Sequence, residues 1–453
     1  MGLWNQLWRA LGIGAERRGP PSEESVPSEP PVPRVPPKSV PTAPRADRGA
    51  PIVIGVDFGT SSTKIAFRRL GEGTSFVAPA ALASDELPWF CTPTAYSVAD
   101  GLVRLGTSSQ EADANLKLRL LGSSLPADEF GDEERKCIAY LGWMIEHATR
   151  AAMEHFRLDR SRVILNVGVP VALFGERERL RARFDKYQAV AQAAMATTTQ
   201  GGGPGIQQAM PVAELMALVD TALASRESMG AVAIMPESSA ALVSLQSDPF
   251  TEEGTYTVVD IGAGTRDVSS SRLTVSDRGR KIVCYDDSSE PKGAFELQSQ
   301  LRKGHEPSAL LNSWKRQWVT SWNDAQLKDR GSPRQHGCWK DTTIVMTGGG
   351  GFHPAVIPYL EKALATSNPA KIIFGKDARM AIKPYEPSPQ SVSPSRGAGT
   401  QDRDAYHLLA VAHGLSYQRR EWPEWYRPDD VETLTRPTPP RYLDPQEMGY
   451  SGG

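Results

Sequence analysis

Thr255–Val268 reads TYTVVDIGAGTRDV. An apolar, β-branched run ends at Asp260, the small residues Gly262, Ala263 and Gly264 turn the chain, and Thr265, Arg266 and Asp267 open a return strand through Leu273. β-Branched residues favour strands, and a glycine-rich turn brings successive backbone N–H groups toward one point, which suits a phosphate. The same design occurs once more, far upstream. In Pro51–Leu70, PIVIGVDFGTSSTKIAFRRL, Ile52–Val56 reads as a buried strand with Asp57 just after it. Gly59, Thr60, Ser61, Ser62, Thr63 and Lys64 then lead into a second strand over Ile65–Arg69. An aspartate beside a phosphate cradle repels the ligand unless Mg²⁺ and its waters lie between them. Ordinary hairpins favour two-residue Asn-Gly or Asp-Gly connections, which neither turn uses. The two stretches therefore predict two similar half-molecules that grip phosphate from opposite sides, with Asp57 and Asp260 ordering one metal ion.

A third glycine-rich turn lies in Asp341–Leu360, DTTIVMTGGGGFHPAVIPYL. A strand over Thr343–Met346 runs into Gly348, Gly349, Gly350 and Gly351, and a helix is expected from about Pro354, since proline suits a first helical turn. Glycines let a flat ligand or ribose-phosphate approach the backbone, next to the positive end of a helix. The spacing matches neither G-x-G-x-x-G nor G-x-x-x-x-G-K-[ST], so it indicates neither a dinucleotide fold nor a P-loop.

Composition bounds the rest. The chain has 453 residues and a formal net charge of −2, with 51 Lys+Arg against 53 Asp+Glu. That balance argues against nucleic-acid binding, which draws on a concentrated basic surface. Cys91, Cys137, Cys284 and Cys338 lack ligand spacing and read as reduced thiols of a cytoplasmic protein, and the seven histidines form no metal spacing. No apolar run reaches the roughly 18 residues of a membrane span. The opening MGLWNQLWRALGIGAERR lacks a secretory cleavage pattern, and Gln6 breaks the myristoylation pattern.

Residues 1–18 read as an amphipathic helix bearing Trp4 and Trp8. They are leashed by a proline-rich linker over 19–50, and a proline-rich tail covers 419–453. Such a leashed helix is expected to dock on a partner protein or a membrane surface. The body between divides into 51–250, 251–402 and a closing helix over 403–418, with surface loops at 197–205 and 383–401. Gly175–Ala196 reads as a helix with one solvated face, and Trp314, Trp318 and Trp322 as a core stripe.

Order and spacing of the three turns resemble the actin-like ATPase superfamily, which includes actin, sugar kinases, MreB, ParM, FtsA and the DnaK-type chaperones. Asp57–Lys64 is similar to its first phosphate motif, Val259–Val268 to its second and Thr347–Gly351 to its adenosine motif. Ala231–Leu245, AVAIMPESSAALVSL, resembles the chaperones' Glu-Pro-Thr-Ala-Ala segment, with Glu237 at the glutamate. Val163–Val171 resembles a strand ending in Val-Pro, Pro93–Gly122 the chaperones' stretch ending in Arg-Leu-Ile-Gly, and Ala405–Ser416 a closing helix packed against the second half.

The resemblance implies a two-lobed α/β fold, each lobe a mixed sheet flanked by helices, with Mg-ATP in the central cleft. It implies Asp57 and Asp260 as Mg²⁺ carboxylates, acting mostly through waters. Thr60, Ser61 and the Gly262–Thr265 backbone would hold phosphates, with Gly59, Ser62 and Lys64 beside them and Gly348, Gly349 and Gly350 near the adenosine. Glu237 and Asp267 would order the waters. Leu118 stands where the chaperones carry a catalytic lysine, which makes Lys117 the candidate. No counterpart of their Lys-Arg adenine clamp is found, and no peptide-binding domain fits after Tyr417. The expectation is thus a DnaK-like ATPase acting as a switch on a separate partner through the Trp helix or the tail. The alternatives are a filament-forming, hence oligomeric, ATPase, a small-molecule kinase, and a nucleotide-binding scaffold with little hydrolysis.

Overall fold

The computed structural model describes residues 49–425, apart from 83–86, 108–112, 124, 127, 159–161, 171–178, 203, 230, 278, 330–337, 397, 399–402, 404 and 423. The Trp helix, nearly all of the linker and most of the tail lie outside the described residues. The chain is mixed α/β. β1 (Ile52–Phe58) and β2 (Ser62–Arg69) form an antiparallel hairpin, with Asp57 opposite Lys64. β3 (Ser75–Val77) continues it antiparallel, while β4 (Val163–Val169) runs parallel to β1 and β5 (Val232–Pro236) parallel to β4. The resulting order is β5-β4-β1-β2-β3, with a short strand at Thr92–Pro93 beside β2.

The second large sheet repeats this plan. β6 (Gly254–Ile261) and β7 (Thr265–Ser276) form the hairpin, with Asp260 opposite Asp267, and β8 (Gly279–Pro291) pairs antiparallel with β7. β9 (Asp341–Thr347) and β10 (Arg379–Pro384) add parallel strands on the far side, giving β10-β9-β6-β7-β8. Order and direction match strand for strand, although in the sequence the likeness is confined to the two hairpins. A third, four-stranded sheet lies over Ala95–Ala99, Leu102–Leu105, Asp113–Ala114 and Ala209–Pro211.

Parallel neighbours need crossover connections, and helices supply them. α1 (Leu116–Gly122), α2 (Asp132–Phe156) and α3 (Arg179–Ala196) all lie within the β1–β5 stretch of chain. Ile138, Tyr140, Leu141 and Ile145 of α2 share one buried cluster with Ile52, Ile54, Val56 and Phe58 of β1. α4 (Glu237–Ser247) follows β5 and turns Ala241, Leu242 and Leu245 onto Tyr256 and Val258 of β6. After β7 and β8 come α5 (Ala294–Arg302) and α6 (Ser308–Asp329). The tryptophan stripe of α6 is core: Trp314, Trp318 and Trp322 are 2, 1 and 0% exposed. Trp318→Ala is expected to cost about 3–5 kcal/mol, as large aromatic truncations in cores do, read from urea unfolding. A change below about 1 kcal/mol would refute that packing.

The structure differs from the sequence reading in three places. Val392–Pro394 (β11), expected in a surface loop of the second half, pairs parallel with β3, and Val392 is fully buried. The chain therefore rejoins the first sheet before residue 402. The helix after the glycine run is α7 (Val356–Thr366); the glycines themselves form a 3-10 turn, Gly349–Phe352. The closing segment is a 3-10 turn over Tyr406–Leu409 followed by α8 (Ala410–Leu415). It lies on β1 and α4 in addition to touching the second sheet. Two glycines allow this: a Cβ on Gly55 of β1 would stand 2.6 Å from the Ala412 carbonyl oxygen, and one on Gly414 would stand 1.7 Å from that of Ala240.

Candidate functional site

The two hairpin turns and the glycine run open on one small cavity of about 70 Å³. From the β1–β2 turn come Asp57, Gly59, Thr60, Ser61, Ser62 and Lys64; from the β6–β7 turn come Asp260, Gly262, Ala263, Thr265 and Asp267. Gly348, Gly349 and Gly350 close a third side, and Lys117 and Glu237 reach in from α1 and the first residue of α4. Among the residues singled out in the sequence, Gly264 alone is absent from the lining. A Cβ there would lie 2.9 Å from Leu118 Cδ1 and 3.2 Å from Thr60 Oγ1, so Gly264 sits where the second turn meets the first.

Lys64 Nζ donates to Asp57 Oδ2 at 3.0 Å, directly across the hairpin. Lys117 Nζ donates to Glu237 Oε1 at 2.5 Å, and both side chains are buried. α1 determines which of its residues enters the cavity. Asn115 precedes it in the left-handed region (φ 70°), Leu116, Lys117 and Leu120 point inward, and the Lys117 carbonyl accepts from Tyr187 Oη. Leu118, in the expected lysine slot, packs on Gly264 instead.

Four carboxylates face two ammonium groups here. Burial pushes the Asp260 carboxyl up to about 7, with the Asp267 and Asp57 carboxylates adding to the rise. Burial likewise lifts Glu237 to about 8; Lys117 opposes the rise while Asp57 and Asp267 add to it. For both lysines burial works toward a lower value, but the surrounding carboxylates outweigh it and hold them above the ordinary value. Burial thus acts first on all four groups, raising the carboxyls and opposing the charge of the lysines, and the clustered carboxylates push all four upward.

That surplus and the hard oxygen donors fit a divalent cation of the Mg²⁺ type, which keeps several waters. Among the described residues no three His, Cys, Asp or Glu side chains gather closely enough to hold a metal unaided. Asp57 and Asp260 would thus share a cation with water and phosphate oxygens. Gly348 adjoins this place: its φ is +73°, and a Cβ would fall 2.1 Å from Asp260 Oδ1. Any side chain there would displace the carboxylate.

Three lining residues escaped the sequence reading: Ala294, Phe295 and Leu408. α5 begins against the second turn, with Ala294 N–H donating to the Gly262 carbonyl and Phe295 N–H to that of Ala263, each at 2.9 Å. Gly293 permits the contact, since a Cβ would lie 2.3 Å from the Gly262 oxygen. The signal available was Pro291-Lys292-Gly293 ahead of a helical run. Leu408 arrives with the closing segment, which Thr347 Oγ1 fixes by donating to the His407 carbonyl at 2.7 Å. Phe352 stacks on the His407 ring with centroids 3.5 Å apart.

The four cysteines are free, with Cys91, Cys137 and Cys284 buried. Among the described residues no histidine lines the cavity; His147, for example, bonds the Pro79 carbonyl and His413 bonds Tyr385 Oη. Among the described residues no helix is long and apolar enough to cross a membrane. No family model matches the chain, and no curated protein matches it.

Proposed function

We infer that the chain is a Mg-ATP-binding and ATP-hydrolysing module of the actin-like kind, closest to a DnaK-type nucleotide-binding domain. In this reading each large sheet with its helices is one lobe, and the module works as a switch on a separate partner protein. One observation carries the reading. Two hairpins at matching places in two sheets of identical strand order present Asp57 and Asp260 to one cavity.

Phosphoryl transfer asks a protein mainly for positioning and charge neutralisation. Mg²⁺, when bound, supplies charge stabilisation for the phosphates. Asp57 and Asp260 would hold it through waters, while Thr60, Ser61 and the Gly262–Thr265 turn would fix the phosphate chain. Glu237 and Asp267 would orient the attacking water, with Lys117 offering positive charge beside it. Ligand contact with both turns gives nucleotide a means of biasing closure, and hydrolysis a means of releasing it. The Lys117–Glu237 ion pair also favours a second reading, a nucleotide-binding scaffold with little turnover, because it engages the candidate lysine.

The test is ATP binding and phosphate release by the purified chain, with Mg²⁺ and with EDTA. Mg²⁺-dependent release supports the first reading and binding without release the second; no binding refutes both. The pH dependence follows from the raised carboxyls. A cation takes their ionised forms, so metal-nucleotide affinity is expected to rise from pH 6 to pH 8, weakening by up to about tenfold per unit below 7. Stability without ligand runs the other way. Groups raised above their unfolded values carry more protons in the folded chain, so the Asp260 and Glu237 contributions decline as pH rises from about 4 through 8. Calorimetric titration and thermal unfolding across that range check the two signs.

A further inference from the structure

We propose that Lys64 is the site's built-in cation, which keeps free divalent metal off Asp57 and yields that carboxylate only when a phosphate chain arrives to take the ammonium. The identity of what arrives rests on the nucleotide reading above; the gate itself rests on the ion pair.

The pair is delivered by backbone pairing. Asp57 and Lys64 are register partners in β1 and β2, their side chains are 8 and 13% exposed, and Nζ lies 3.0 Å from Oδ2. A metal reaching Asp57 must therefore displace a buried, hydrogen-bonded ammonium. Glu237 is sealed in the same way by Lys117 at 2.5 Å. Asp260 and Asp267 stand opposite each other on β6 and β7, and Asp260 lies within the field of the Lys64 charge. A hard cation of this class takes about six oxygen ligands, so two carboxylates beside a lysine make a poor site for bare metal. A phosphate chain changes both terms: it brings oxygens to the cation and gives Lys64 a new anionic partner. Loading is thus biased in order, with metal entering together with phosphate in preference to ahead of it.

Mn²⁺ binding to the full chain at pH 8, followed by the loss of the free-ion electron paramagnetic resonance signal, tests this with and without the non-hydrolysable analogue AMP-PNP, the Mn²⁺ taken up by AMP-PNP in protein-free solution being subtracted. In the wild type, Mn²⁺ alone is expected to bind at least about tenfold more weakly than with AMP-PNP, because the ammonium repels it. Lys64→Met is expected to gain about tenfold or more in affinity for Mn²⁺ alone, and Lys64→Arg, which keeps the charge, to gain nothing. Thermal unfolding verifies that each variant is folded. Lys64→Gln, which retains a hydrogen-bond donor for Asp57 without the charge, replaces Lys64→Met if that variant is not. Wild-type protein that binds Mn²⁺ equally well with and without bound AMP-PNP overturns the proposal. So does an uncharged variant with no gain. If that variant gains Mn²⁺ while no protein binds AMP-PNP, the gate stands and the nucleotide reading falls.

Discussion

Asp260→Ala is expected to lose at least about a hundredfold in Mg²⁺-dependent phosphate release, the scale on which removing one pre-positioned electrostatic group slows an enzyme. The same change is expected to leave the fold intact and to raise its melting temperature near neutral pH. Both directions have one cause. Burial and the neighbouring Asp267 and Asp57 raise the Asp260 carboxyl to about 7, so the fold gains by being rid of its charge. Gly348 lies against that carboxylate, and alanine keeps the Asp260 Cβ while leaving the carboxylate's place open to the cavity. Activity and thermal unfolding measured on one preparation would show a loss in the first and a gain in the second. A variant that is destabilised and still active would contradict both the electrostatics and the role given to Asp260.

The second large effect is on stability. Gly414→Ala places a methyl carbon 1.7 Å from the Ala240 oxygen and 2.4 Å from its carbonyl carbon, both backbone atoms of α4. No side-chain rotation relieves that overlap, so α8 or α4 must move. The expected cost is at least about 3 kcal/mol, at the upper end for an overpacked core, seen as a lower urea midpoint or as a failure to fold. α4 also carries Glu237, so a folded Gly414→Ala protein should show impaired nucleotide binding as well. Gly122→Ala is the control. Gly122 ends α1 with nothing within 4 Å of its would-be Cβ, and alanine there is expected to be neutral or mildly stabilising. Equal stability of the two variants would mean that α8 does not lie against α4 as described.

These two positions also mark where sequence reasoning reached and where it stopped. The Asp260 hairpin was legible because a β-branched run, a terminal carboxylate and three small residues are adjacent in the chain. Its counterpart at Asp57 repeats the pattern within Ile52–Lys64. The tryptophans of α6 were legible as core from helical spacing alone. Gly414 was not, because its role is set by the Ala240 carbonyl, and no local pattern encodes close approach to a distant backbone. The same holds for Gly293, whose contact with Gly262 lets α5 brace the second turn. Val392 was hidden for another reason. Its strand is three residues long amid serine and proline, and the partner that makes it a strand is Ser75–Val77. Lys117 shows a one-residue ambiguity resolved by the entry geometry of α1, since a left-handed Asn115 decides which face of a short helix turns inward.

The matched hairpins have a consequence for direction. Asp57 and Asp260 occupy equivalent places in the two hairpins, yet the cavity they share is not symmetric. The residue opposite each aspartate differs, a lysine in one hairpin and an acid in the other, and Gly348, Gly349 and Gly350 add a third side. The cavity therefore carries an ammonium on the side of the first hairpin and an additional carboxylate on the side of the second. Polarity in this framework of matched hairpins comes from unlike neighbours, with Lys64 and Asp267 among them.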